Sequence, residues 1–250
     1  MPRIRLFLAL MLVASLSALM LSCGDDDSSP TSAPMTMEME GIDLLSQQAN
    51  SRLSGAIFTT TPDRRIDNEN THYESKLEVY LDGGPPPNAP QMAAGLPDGL
   101  YVFQITDPPG KVLLSEDPAK CRVVRIHEDI IVELVLPSDI PAMYGGPFSD
   151  DYTVGRGGNA VTYPCSYEDE PDGVAGARGR HDTNTDVDYG ENGAIVVQMM
   201  PFLDTPNPGG VYKAWMTPIG DYLSFEGDLE DVPDETVKFK GKVQGFKPDP

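Results

Sequence analysis

Residues 100–105, LYVFQI, alternate apolar side chains in a way that suits an extended backbone. As a strand, they place Tyr101, Phe103 and Ile105 on one face and Leu100, Val102 and Gln104 on the other. Residues 211–216, VYKAWM, repeat the pattern, with Tyr212, Ala214 and Met216 opposite Val211, Lys213 and Trp215. Gly99 and Gly210 precede the two runs. Pro109 and Gly110 turn the first, Ile219 and Gly220 turn the second, and KVLL and DYLSF follow as expected returning strands. The phrases GLYVFQITDPPG and GVYKAWMTPIG are therefore an echo, with their leading glycines 111 residues apart. Upstream, KLEVYLDGGPPPNAP and IVVQMMPFLDTPNPGG each give a strand, then Leu-Asp, then a Pro-rich loop.

More strands follow from the same reading. SGAIFTTT (54–61), CRVVRI (121–126) and IIVELVL (130–136) complete the first group, and AVTY (160–163) and TVKFKGKV (236–243) join the second. In the last run Lys238, Lys240 and Lys242 alternate with apolar residues. They guard an edge strand, or alternatively form a basic strip for an acidic polymer. Gly and Pro number 24 each, which favours many short strands over long helices. An echo at this spacing has the size of an immunoglobulin-like sandwich and exceeds a solenoid repeat of roughly 20–50 residues. Duplication explains it, and so does convergent strand chemistry.

These segments resemble small β-sandwiches of bacterial surface proteins, in particular the transthyretin-like and collagen-adhesin B-type repeats. PDGLYVFQITDPPGKVLLS and DTPNPGGVYKAWMTP look like stretches of large secreted bacterial proteins with such modules. The resemblance implies a mainly β chain of two tandem immunoglobulin/transthyretin-like sandwich units, acting as a stalk or a binding domain. The expected units are 51–136 and 137–250, the second carrying an acidic loop insertion at 166–193.

The N-terminus follows another pattern. Arg3 and Arg5 precede an apolar run over residues 6–21, shorter than the roughly 20 residues of a spanning helix. It suits an export signal over 1–22. The run ends in MLSC, which resembles the lipobox of bacterial lipoproteins and implies lipidation of Cys23; Met20 stands where Leu is usual. Residues 23–50, acidic and then Ser/Thr/Pro-rich, read as a disordered tether. The expected address is the cell envelope, anchored by lipid to a bacterial membrane, at the outer membrane or cell surface.

A net charge of −21 disfavours nucleic acid as a partner. A hydrophobic content of 40% is enough for a packed core. With Cys23 assigned to the anchor, Cys121 and Cys165 form an even pair in an exported chain, and a disulfide is expected. The three histidines, His72, His127 and His181, fall in no HExxH motif, and no GxSxG elbow or P-loop occurs. In HDTNTDVDYGEN, residues 181–192, Asp182, Asn184, Asp186 and Asp188 recur at every second position. Calcium takes six to eight oxygens, and such spacing supplies several. Val187 and Gly193 break the EF-hand pattern, so the alternatives are a looser calcium site, a solvated acidic loop, or a transition-metal site using His181.

Trp215, the one tryptophan, lies with Lys213 on the face away from Tyr212. It is the expected exposed ring and ligand contact. Together these features predict a non-enzymatic, lipid-anchored binding or structural protein of the cell envelope or surface, with an envelope or extracellular protein or polysaccharide as partner. The alternatives are a carbohydrate-binding module of a surface polysaccharide system, and a hydrolase with paired carboxylates.

Overall fold

A computed structural model of the chain describes residues 53, 55–63, 72–85, 94–155, 157–165, 181–207, 210–226, 228–231 and 242–248. The expected export signal, Cys23 and the expected tether lie outside the described residues, as does 166–180 of the expected acidic insertion. Among the described residues the strands are β1 (Ile57–Thr60), β2 (His72–Tyr73), β3 (Tyr80–Gly83), β4 (Gly99–Thr106), β5 (Val123–His127), β6 (Ile130–Leu134), β7 (Asp151–Val154), β8 (Val161–Pro164), β9 (Thr183–Thr185), β10 (Ile195–Gln198), β11 (Tyr212–Pro218) and β12 (Lys242–Pro248). Helix α1 (Ile219–Glu226) follows β11 directly.

Three sheets result. One has the order β1-β3-β10-β9, a second β2-β12-β11-β4-β5-β6, and the third is the hairpin β7-β8. Pairing is antiparallel except between β2 and β12. The faces predicted for the echoing strands hold. Tyr101, Phe103, Ile105, Tyr212, Ala214 and Met216 all enter one core, where they meet Leu81, Val197 and Met199 of the four-stranded sheet. The opposite face is covered too: Val102 packs with Val123, Ile219 and Tyr222 in a second core, with Trp215 at its margin. Both faces of β4 are thus dry, and its last six residues are buried.

The mainly β class stands, but the strand pairing does not separate the chain at residue 136. β3 pairs with β10, and β4 pairs with β11, so both large sheets take strands from 51–136 and from 137–250. All the described residues fall in one unit, Met39–Pro250. Leu81 faces Val197 and Tyr80 faces Gln198. The Leu-Asp match therefore fails, since Leu203 lies beyond β10 and is half exposed.

The expected returning strands also differ. After β4 the return is an isolated bridge, Thr106 to Leu113. After β11 the chain turns into α1, because Ile219, Tyr222 and Leu223 share one helical face and lie on the second core. The last strand begins where the predicted run 236–243 is ending; Lys238 and Lys240 lie outside the described residues.

Candidate functional site

The β7-β8 hairpin belongs to neither large sheet. A two-stranded hairpin is marginal in water by itself, so it needs an anchor. The anchor is the Cys121–Cys165 disulfide. Cys121 lies in the 3₁₀ turn Ala119–Arg122 that leads into β5, and Cys165 follows β8 directly. Tyr152 and Tyr163 pack against it, their ring centroids 5.7 Å apart. Burial, then the Asp117 charge, pushes the Tyr152 hydroxyl above its ordinary pKa.

Between the hairpin and the body lies a groove of about 650 Å³. Ser149, the run from Asp151 to Gly155 and Thr162 line it on the hairpin side, and Glu116, Lys120, Glu230 and Asp231 line it from the body. Lys120 is held there on both counts: its N–H donates to the Leu229 carbonyl at 2.8 Å, and its ammonium lies 3.6 Å from a Glu230 oxygen. Its side chain is buried, whereas that of Glu230 is exposed.

Beneath the disulfide is a fully buried charge cluster. Asp117 Oδ1 accepts from Arg122 Nε at 2.5 Å, and Asp117 Oδ2 lies 2.8 Å from His181 Nε2. The other His181 nitrogen, Nδ1, lies 2.8 Å from the Gln198 carbonyl oxygen. A carbonyl can only accept, so Nδ1 donates; the ring carrying two protons satisfies both contacts. The Arg122 guanidinium also donates to the Met199 and Pro201 carbonyls and lies 5.2 Å from the Phe103 ring centroid. Burial alone would raise the Asp117 pKa, but the Arg122 and His181 charges and their hydrogen bonds outweigh it and hold the carboxyl below its ordinary value. Asp117 and Arg122 belong to the first half of the chain, while His181, Met199 and Pro201 belong to the second. With both ring nitrogens engaged and the ring buried, His181 offers no free nitrogen for acid–base chemistry.

The predicted metal ligands are put to separate uses. Tyr80 donates its hydroxyl to Asp182 at 3.0 Å. Asn184, exposed in β9, faces Val196 of β10. Asp186 is buried and accepts from the Asp188 N–H at 2.9 Å, the local bond of an Asx turn. Of the four, Asp186 and Asp188 thus shape the β9-β10 connection. Among the described residues no group of three or more His, Cys, Asp or Glu forms that is able to hold a metal ion.

Trp215 is half-buried. Its Nε1 donates to Thr106 Oγ1 at 2.8 Å, and its ring lies over Gly110. The buried cluster was not foreseen from the sequence. Its trace there is Arg122 itself, a charge set between Cys121 and Val123 at the start of an apolar strand, where a cation must be paired. No family model matches the chain, and no curated protein or solved structure is similar to it.

Proposed function

We propose that this chain is a non-enzymatic, lipid-anchored protein of a bacterial cell envelope that binds a partner through its folded β body. The observation that carries this reading is the Cys121–Cys165 bond, because disulfides form and persist in oxidising compartments. The Arg3/Arg5 region, the apolar run and Cys23 supply the route to such a compartment and a point of attachment. Residues 23–50 would serve as the tether. The paired echo supports duplication of one unit whose copies interlock instead of standing in tandem. The groove beneath the hairpin is the proposed binding region.

Cell fractionation tests the anchor. Cys23→Ser should release the protein from the membrane fraction into the soluble exported fraction. Retention of the variant in the membrane at the parent's level would overturn the lipid-anchor reading.

A further inference from the structure

In the β7-β8 ladder, Tyr152 faces Tyr163, and Thr153 faces Thr162. The Cys165 N–H donates to the Asp150 carbonyl at 2.8 Å, which fixes the parity of the ladder. In an antiparallel pair, directly hydrogen-bonded positions alternate with positions whose backbone groups point outward. Asp150, Tyr152 and Val154 therefore turn their backbone groups toward β8, and Asp151 and Thr153 turn theirs away. Pro164, opposite Asp151, fits this parity because it has no N–H to give. The groove runs along the outer side of β7, since every residue from Asp151 to Gly155 lines it whereas β8 contributes Thr162 alone. Among the described residues no strand pairs with that edge. The Asp151 N–H reaches only the Ser149 side chain, at 3.3 Å.

An unpaired strand edge is a template for another extended chain. The opposite wall decides which kind. Among the described residues, Glu116, Glu230 and Asp231 line that wall beside the ammonium of Lys120, and Asp151 adds a fourth carboxylate from β7. An acidic segment would be repelled there, whereas lysine or arginine at alternate positions would meet these carboxylates while the intervening backbone pairs with β7. At the tip, Val154 and Val161 face each other and are about half exposed, which gives an incoming strand apolar surface to cover.

We infer that the β7 edge and its groove take up an extended basic peptide segment of a partner protein by strand addition. This deepens the binding role proposed above and is independent of the lipid anchor.

The probe is a short synthetic peptide of alternating lysine and threonine, blocked at both ends, titrated into the disulfide-intact protein. Backbone amide resonances of Thr153 and Gly155 should shift and saturate. A glutamate-threonine peptide should bind at least about tenfold more weakly. Two further lysine peptides carry N-methyl groups on alternate residues, in the two possible registers. The register that blocks the edge should lose binding about tenfold or more, and the other should keep it. Thr153→Pro removes the outward N–H at a position where an edge strand tolerates proline, and it should weaken the lysine peptide similarly with the disulfide intact. Should that variant misfold, the N-methyl pair asks the same question of the parent protein. Equal binding of both N-methylated peptides, or saturation without shifts at Thr153 and Gly155, overturns strand addition. Failure here leaves the fractionation result for Cys23→Ser untouched, so the two readings fall separately.

Discussion

Gln104 and Trp215 face each other across β4 and β11, and each stands five residues after the leading glycine of its echoing phrase. The register is symmetric about this pair. Phe103 faces Met216 just as its counterpart Ala214 faces Ile105, and Val102 faces Thr217 just as Lys213 faces Thr106. A local two-fold axis therefore passes through the Gln104–Trp215 pair. The repeated phrase is the two sides of one seam. The side chains at the axis have diverged: Gln104 is buried near the Tyr222 hydroxyl, and Trp215 lies half-buried over Gly110.

Trp215 should respond to changes at Gly110 as well as to its own replacement. A Cβ at Gly110 would lie 3.0 Å from the indole, and Gly110 has φ +67°. Gly110→Ala should destabilise by about 1–2 kcal/mol through the left-handed backbone alone. Trp215→Phe should cost about 1 kcal/mol more than the lost ring area, because Thr106 Oγ1 loses its donor. Urea unfolding followed by circular dichroism reads both, and midpoints equal to the parent's would refute the packing described.

Asp117→Asn leaves Arg122 and His181 buried without a counter-charge, and should destabilise by about 3–5 kcal/mol. Adding Arg122→Met should recover part of that loss, which a double-mutant cycle measures directly. A pH signature accompanies it. The folded Asp117 carboxyl titrates below its unfolded value of about 3.9, so the folded state binds fewer protons in that window. Its stabilisation is therefore complete above the unfolded value and is lost as pH falls through the lower folded one. Urea midpoints taken from pH 6 downward should fall less steeply in Asp117→Asn than in the parent.

The β5-β6 turn uses residues poorly suited to it. Glu128 and Asp129 both have positive φ, at 49° and 73°, the conformation that two-residue hairpins usually fill with Asn-Gly. Glu128→Asn with Asp129→Gly should stabilise by about 1 kcal/mol, raising the calorimetric midpoint by roughly 2–4 °C. Gly95→Ala should act in the opposite sense, since its Cβ would meet the Asp129 carbonyl oxygen at 1.9 Å. The expected cost is about 1–3 kcal/mol.

Removing the disulfide should act locally before it acts globally. The bond closes a loop with a separation of 44 residues, and the chain-entropy model assigns it about 4 kcal/mol. In Cys121→Ala/Cys165→Ala, hydrogen exchange should accelerate first over 151–164, because the tyrosine contacts then hold the hairpin alone. Unchanged protection there would show that Tyr152 and Tyr163 suffice.

What could be read in the sequence was local and periodic. Alternation at Tyr101, Phe103 and Ile105 named the buried face, and the parity of Cys121 and Cys165 named the bond. Partner choice was not written in any period: nothing in LYVFQI says that its neighbour is VYKAWM. The helix at 219–226 was hidden because DYLSF is short enough to fit either geometry, and the second core decides between them. The acidic alternation around Asp186 was a turn code that also matched a ligand code, since Asx turns and metal loops use the same side chains. The Asp117–Arg122–His181 cluster joins residues from two distant stretches, and no local signal announces such a meeting.

The seam between β4 and β11 also sets an order of events in time. β4 leaves the ribosome long before β11 exists to cover it, and β3 waits likewise for β10. Until Tyr212 and its neighbours arrive, the first half holds two open edges and an uncovered apolar face. Non-local pairing of this kind slows folding and prolongs exposure to aggregation. Folding therefore finishes only after the last strands are made, and a chain shortened by its last forty residues retains the words of the first phrase without the strand that answers them.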